Sequence, residues 1–96
     1  MHHDESTLAV TGPLDARTVS AVREELRLAT GQEVILDLSD CDWIDGHALT
    51  MLVAATTRAQ REGRRLVLRG CGPRLMRTLH VSRMRARLEV EPAEIA

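Results

Sequence analysis

The chain has almost no aromatic residues, with one tryptophan and no phenylalanine or tyrosine among its 96 residues. Proteins that bind single-stranded nucleic acid commonly stack bases on aromatic side chains. Here only Trp43 could offer such a surface, and it lies outside the arginine-rich part of the chain. The composition therefore disfavours nucleic-acid binding by stacking.

The sequence also has few cysteines and no long apolar run. Cys41 and Cys71 lie 30 residues apart, and because nothing points to secretion we expect reduced thiols in a cytoplasmic protein. No segment approaches the roughly 20 apolar residues that cross a bilayer, so no membrane insertion is expected. The acidic, polar N-terminus lacks the features of a signal peptide.

Lysine is absent, and the arginines are unevenly distributed. Residues 1–57 carry ten acidic residues and three arginines, whereas residues 58–87 carry ten arginines and one glutamate. The basic segment predicts either contacts with phosphates or an acidic partner, or pairing with the acidic half after folding. We favour internal pairing and solvent exposure on helix surfaces.

Short apolar strands alternate with amphipathic segments along the chain. The predicted strands cover 7–11, 33–38, 65–69 and 87–90, and the predicted helices cover 15–29, 46–62 and a short segment from Pro73. Asp15 and Asp45 are the expected N-caps of the first two helices. Since the strands are separated by helices, crossovers should join them into a mostly parallel or mixed sheet.

This order predicts a single α/β domain over residues 1–96, with about four strands and with three or four helices mainly on one face. Residues 1–6 are expected to be disordered and residues 91–96 to form a flexible tail. At the second helix, four residues have the spacing of a sheet-facing side: Leu49, Leu52, Val53 and Thr56. Thr50, Met51 and Arg58 are expected on the opposite side.

Three motifs give the chain a resemblance to STAS domains. Residues 34–49, VILDLSDCDWIDGHAL, are similar to the family's strand of the type V-x-L-D-L-S followed by a D-S-S-G-L turn. Residues 12–15, GPLD, resemble the family's G-x-L-D, and residues 63–68, GRRLVL, resemble its G-x-x-L-x-L strand. The three motifs occur in the family's order and together cover most of the chain.

The resemblance implies a protein-interaction module related to anti-sigma factor antagonists. Such a module binds an anti-sigma factor with a serine-protein-kinase-like ATPase domain, and phosphorylation of a serine in the D-S-S-G turn controls binding. In this sequence Gly46, His47 and Ala48 replace Ser, Ser and Gly, so the usual phosphorylation site is lost at Gly46. ATP would be a ligand of the partner, and no cofactor is expected for this chain.

The lost serine leaves three alternatives open. The protein is a permanently competent antagonist, or it is switched elsewhere, with Thr50, Ser39 and Thr11 as weak candidates. Alternatively, it serves another partner, as a signalling scaffold or as the STAS subunit of a lipid-transport ABC system. A homodimer also stays open.

The candidate partner surface combines the loop before the second helix with the exposed side of that helix. Its residues are Trp43, Asp45, Gly46, His47, Thr50, Met51 and Arg58.

No catalytic or metal site is predicted. The sequence has neither a G-x-S-x-G turn nor a Walker motif, so we expect no enzyme activity. The spacing of Cys41, Asp42, Asp45 and His47 matches no common set of metal ligands. Nucleic-acid binding is the alternative of another class, and Arg74, Arg77 and Arg85 are the candidate phosphate contacts.

Overall fold

Strands and helices alternate through the computed structural model, which describes residues 5–93. The strands are β1 (Glu5–Thr11), β2 (Glu33–Asp40), β3 (Arg65–Cys71) and β4 (Glu89–Pro92). The helices are α1 (Val19–Leu28), α2 (Gly46–Arg61) and α3 (Pro73–Val81), with a 3-10 turn at Arg85–Arg87. The predicted alternation of strands and helices is confirmed.

Within the described residues the strands form one parallel sheet in the order β1-β2-β3-β4. Every connection passes through helical or 3-10 structure and moves one strand along in the same direction. Since such crossovers are almost always right-handed, the helices lie on the same face. The predicted α/β domain is confirmed, with a parallel rather than a mixed sheet.

The core between the sheet and the helices is aliphatic, as a chain without phenylalanine or tyrosine requires. Its fully buried members include Leu14, Leu36, Leu38, Ile44, Leu52, Leu68, Leu75 and Leu79. They come from the strands, from the helices α2 and α3, and from the loops that precede α1 and α2. The core therefore ties those two loops to the sheet.

The opposite face of the sheet carries charged side chains instead of helices within residues 5–93. Arg65 donates to Glu33 and to Glu89, each at 2.6 Å between nitrogen and oxygen. Arg69 donates to Glu91 at 2.9 Å. The predicted pairing of the basic segment with the acidic half is thus confirmed for Arg65 through Glu33, whereas Arg69 pairs with a glutamate of β4.

The first helix starts later than the sequence predicts. Asp15 does not cap α1, which begins at Val19, but heads a separate turn in which the Asp15 carbonyl accepts from the backbone N–H groups of Thr18 and Val19 at 3.0 and 2.8 Å. The Asp15 carboxylate accepts from the Arg17 N–H at 2.9 Å. Residues 15–18 therefore form a turn, and Thr18 is the residue at the helix N-cap.

Both ends of the chain are more regular than expected where the structure describes them. Glu5 and Ser6 pair with Glu33 and Val34, so the expected disorder is wrong for these two residues. At the other end the 3-10 turn occupies Arg85–Arg87 and moves the last strand to Glu89–Pro92. The rest of the predicted terminal segments, 1–4 and 94–96, lies outside the described residues.

Candidate functional site

Asp45 organises the start of α2. One oxygen of its carboxylate accepts from the Ala48 N–H at 2.9 Å, which is the predicted N-cap. The other oxygen accepts from the Ala16 N–H at 3.0 Å. These hydrogen bonds, that from Ala48 first, hold the pKa of Asp45 below its usual value. One carboxylate therefore fixes both the helix and the loop that precedes α1.

Backbone hydrogen bonds fix the same junction from both sides. The Leu14 N–H donates to the Trp43 carbonyl at 2.8 Å, and the Asp45 N–H donates to the Leu14 carbonyl at 3.1 Å. The Leu14 side chain is fully buried in the core. The segment from Trp43 to Asp45 is thereby held in a defined position against the loop before α1.

The side chains around this junction face solvent. Trp43 is 52% exposed, which makes it one of the few large apolar side chains with a free surface in the described part of the chain. His47 is 77% exposed, and its Nδ1 lies 3.8 Å from the Asp45 carboxylate. A side chain added at Gly46 would meet no atom within 4 Å. The start of α2 therefore presents an open surface on a rigid base.

Of the other predicted surface residues of α2, two are exposed and one is buried. Thr50 is exposed one turn beyond Gly46. Arg58 is exposed as well, but it lies about 18 Å along the helix from Gly46 and pairs with Glu62 at 3.4 Å. Met51 is only 5% exposed, so its predicted exposure is wrong. Met51 belongs to the core cluster and lines the space between α1 and α2, and the periodicity of α2 alone does not show where α1 lies.

A cavity of about 850 Å³ opens between α1 and α2. We call this cavity the interhelical slot. Its apolar lining includes Val19, Leu26, Val34, Met51, Ala55 and Leu66. At one end it reaches Gly46, His47 and Thr50, and at the other it reaches Arg58 and Arg64. The contribution of α1 to this surface was not predicted; the small residues Ala54, Ala55 and Ala59 on α2 are the sequence feature that indicates the gap between the two helices.

The alternative phosphorylation candidates lie in two places. Thr50 belongs to the same surface as Gly46, whereas Thr11 and Ser39 are at the C-terminal ends of β1 and β2. The Ser39 hydroxyl donates to the Asp37 carboxylate at 2.7 Å, and this bond helps to keep the pKa of Asp37 low. Of the three hydroxyls, Thr50 is therefore the one that belongs to the candidate partner surface.

The arginines proposed as phosphate contacts lie on and after α3. Arg74 and Arg77 are exposed, whereas Arg85 is half-buried. Arg74 approaches Asp42 at 3.7 Å, and both side chains are largely exposed.

Within residues 5–93 no helix has the length and apolar character needed to cross a membrane, and no three potential metal ligands cluster together.

The two cysteines are free and buried near the ends of β2 and β3. The Cys41 thiol lies 3.4 Å from the Trp43 carbonyl. Burial, with a smaller contribution from Cys41, raises the pKa of Cys71 to about 11. Because the thiolate is the reactive form, both cysteines should be inert in the folded protein.

Alkylation of the folded protein by iodoacetamide should therefore be slow. At pH 8 a thiol with a pKa of about 11 contains roughly two-hundredfold less thiolate than an ordinary cysteine. Intact-mass time courses should show both thiols unmodified in buffer and both modified rapidly in denaturant. Rapid labelling of Cys71 in buffer would contradict its placement.

Two comparisons with known protein sequences gave different results. A family model described as "Mlab, STAS domain" matches residues 1–90. No curated protein sequence matches the chain.

Several solved structures are similar to the chain. An anti-sigma factor antagonist from Mycobacterium paratuberculosis has a TM-score of 0.81 at 20% identity, covering 97% of this chain and 81% of its own. A sulfate transporter family protein from Wolinella succinogenes has a TM-score of 0.80 at 19% identity, covering 94% and 78%. The anti-sigma factor antagonist SpoIIAA in its unphosphorylated form has a TM-score of 0.71 at 12% identity, covering 98% and 84%. At these identities the similarity shows a shared fold.

Proposed function

The chain belongs to the STAS domain family, and on this premise we propose that it is an anti-sigma factor antagonist that needs no dephosphorylation to bind. Its partner is an anti-sigma factor with a kinase-type ATPase domain. The contact surface is centred on the start of α2 and includes Trp43, Asp45, Gly46, His47 and Thr50. ATP is bound and used by the partner.

The observation that carries this proposal is the rigid, exposed start of α2. Asp45 fixes the backbone there through Ala48 and Ala16, so the surface is already organised before a partner arrives. Preorganisation of this kind reduces the entropic cost of binding. Trp43 offers the large, partly exposed aromatic side chain that often anchors protein interfaces.

The absence of a hydroxyl at Gly46 and at His47 accounts for permanent competence. A phosphate at a helix N-terminus would add nearly two negative charges to the contact surface. Because neither position has a hydroxyl that could form a phosphate ester, serine phosphorylation in this turn cannot switch binding off. The same observation favours a second candidate, a STAS subunit of a lipid-transport ABC system, in which the domain stays bound to a transporter ATPase.

Affinity capture distinguishes the two candidates. The tagged full chain is used as bait in lysate of the source organism at moderate salt, with and without nuclease, and bound proteins are identified by mass spectrometry. A bait carrying both Gly46→Asp and His47→Asp serves as the matched control. Enrichment of a kinase-type anti-sigma factor by the wild-type bait over this control is the expected result.

The other outcomes count against the main proposal. Specific enrichment of an ABC ATPase would establish the second candidate. Enrichment of ribonucleoprotein that disappears with nuclease would favour Arg74, Arg77 and Arg85 as nucleic-acid contacts. Equal recovery of one anti-sigma factor by both baits would place the interface away from the start of α2.

Restoring the family's two serines should restore phosphorylation. The variant carrying Gly46→Ser and His47→Ser, incubated with the captured partner and ATP, is expected to gain the mass of one phosphate and to lose affinity. The wild-type chain should gain none under the same conditions. Gly46 has open space around it and His47 is exposed, so both changes should leave the fold intact.

Two results would contradict this expectation. If the restored variant binds the partner but takes up no phosphate, the partner does not act as a kinase on this site. If the wild-type chain is phosphorylated at Thr50, Ser39 or Thr11, permanent competence is wrong.

A further inference from the structure

Positive charge is concentrated on α3 and on the segment that follows it. Residues 73–88 contain no carboxylate and carry five arginines, which are Arg74, Arg77, Arg83, Arg85 and Arg87. Among residues 5–93 only Arg74 of these five lies within ion-pairing distance of a carboxylate, at 3.7 Å from Asp42. The other four therefore carry a charge that no partner in the described part of the chain neutralises.

The outer side of α3 is a stripe of exposed side chains. Leu75 and Leu79 of this helix are buried in the core. Arg74, Arg77 and Val81 have the i, i+3, i+7 spacing of one helix side, and all three are exposed. Val81, the last residue of α3, is 73% exposed although it is apolar. The stripe thus combines two arginines with an apolar tip.

Arg83 follows this stripe in an unusual backbone conformation. Its φ is 63°, and among the described residues it is the one residue other than glycine with a positive φ. Glycine is the usual residue in this region, because a Cβ is disfavoured there. The Arg83 side chain is exposed and makes no ion pair within residues 5–93, so the strain points to a role outside the fold. We call Arg74, Arg77, Val81 and Arg83 the arginine face.

The arginine face borders the proposed partner surface. Arg74 lies 3.7 Å from Asp42, which directly precedes Trp43 in the chain. The few residues at the start of α2 are only part of what a stable interface needs, because about 20–30 residues a side take part in one. A protein docked at the start of α2 must therefore cover neighbouring surface as well, and the arginine face is next to it.

The composition of the arginine face matches a protein better than nucleic acid or a membrane. The chain has a net charge of -1 and a pI of about 6.4, whereas nucleic-acid-binding domains are usually strongly basic. An interfacial helix enters a bilayer surface with its apolar side, and in α3 that side is buried in the core. An apolar contact beside arginines is instead typical of protein interfaces, in which arginine is enriched.

We propose that the arginine face is a second part of the partner surface and binds an acidic region of the docked protein. Carboxylates of that protein pair with Arg77 and Arg83, and an apolar side chain of it contacts Val81 between them. The identity of the protein rests on the proposed function, whereas the preference of this face for an acidic polypeptide does not. An acidic peptide therefore tests the face without the partner.

Titration of the full chain with a synthetic peptide of glutamate residues, followed by amide NMR spectra, tests this preference. At low salt the shifts should be largest at Arg77, Val81 and Arg83. They should be lost at 1 M salt, where the Debye length falls to about 3 Å. Absence of shifts at low salt, or shifts that are largest around Arg23 of α1 or Arg65 of β3, would overturn the proposal.

Variants of the full chain then test the arginine face against the anti-sigma factor that the wild-type chain captures. Arg77→Gln should weaken binding about tenfold, because a carboxylate of the partner loses its charged donor. Arg83→Gly should weaken binding by a similar factor, yet its melting temperature should not fall, since glycine adopts a φ of 63° without strain. A purely structural role of Arg83 would not separate the two readouts in this way.

Arg23→Gln is the matched control for these variants. Arg23 is an exposed arginine of α1 that makes no ion pair among residues 5–93. Its replacement removes the same charge at a distance from the arginine face, so this variant should bind the partner like the wild type.

Three results of this comparison would overturn the proposal. They are wild-type affinity in both Arg77→Gln and Arg83→Gly, an equal loss of affinity in Arg23→Gln, and binding of duplex DNA or phosphatidylglycerol vesicles by the wild-type chain but not by Arg77→Gln. The first of these would leave the proposed function standing, with its interface confined to the start of α2. If capture recovers no anti-sigma factor, the proposed function fails, and the glutamate titration still decides what the arginine face prefers.

Discussion

Gly46→Asp is expected to weaken partner binding by about tenfold to a hundredfold while leaving the fold at least as stable as before. The added carboxylate places a negative charge on the contact surface, as the family's phosphate does, and a mismatched charge at an interface is costly. In the free domain the same charge lies at the positive end of α2, where it stabilises the helix by about 0.3–1 kcal/mol. Binding and stability should therefore change in opposite directions.

The matched control for this variant is Gly46→Asn, which adds a side chain of the same size without the charge. Since a Cβ at position 46 meets no atom within 4 Å, neither variant should disturb the fold. Titrations followed by the fluorescence of Trp43, the single tryptophan, would report both affinities. Equal affinities for the two variants would show that charge at this position does not control binding, and unchanged affinity for both would move the interface elsewhere.

Leu14→Ala should have the largest effect on stability, a loss of about 2–5 kcal/mol in the free energy of unfolding. The Leu14 side chain is fully buried, and its backbone joins the loop before α1 to Trp43 and Asp45. Truncation therefore leaves a cavity directly beneath the start of α2. Urea unfolding measures the change, and the dependence of the unfolding free energy on urea concentration should be the same for both proteins.

Leu28→Ala provides the control, because it is the same substitution at a leucine that is 63% exposed at the end of α1. Its effect should stay within about 0.5 kcal/mol. A loss below 1 kcal/mol in Leu14→Ala, or similar losses in both variants, would contradict the central position of Leu14 in the core.

The architecture could be predicted because local patterns and topology rules point to the same answer. Short apolar runs separated by amphipathic segments require crossovers, and crossovers make neighbouring strands parallel. Element ends were less predictable. Asp15 accepts hydrogen bonds within a turn instead of capping α1, and the 3-10 turn at Arg85–Arg87 delays β4. Both features depend on local backbone geometry that residue preferences alone do not specify.

The candidate site was predictable only in part, for a similar reason. Asp45 was identified as an N-cap from sequence, since capping is a local interaction. Its second hydrogen bond, to Ala16, joins residues that are far apart in the chain. The burial of Met51 and the interhelical slot depend on how α1 lies against α2. Periodicity within one helix identifies an apolar side, but not the gap left between two helices.

Hydrogen exchange of the full chain, alone and with its captured partner, tests the location of the interface most directly. The first-turn amides of a helix lack intrahelical acceptors, so those of Gly46 and His47 should exchange rapidly in the free chain. Our account predicts that the partner slows exchange over residues 42–50. Slowed exchange confined to β3 and β4, with residues 42–50 unchanged, would contradict it.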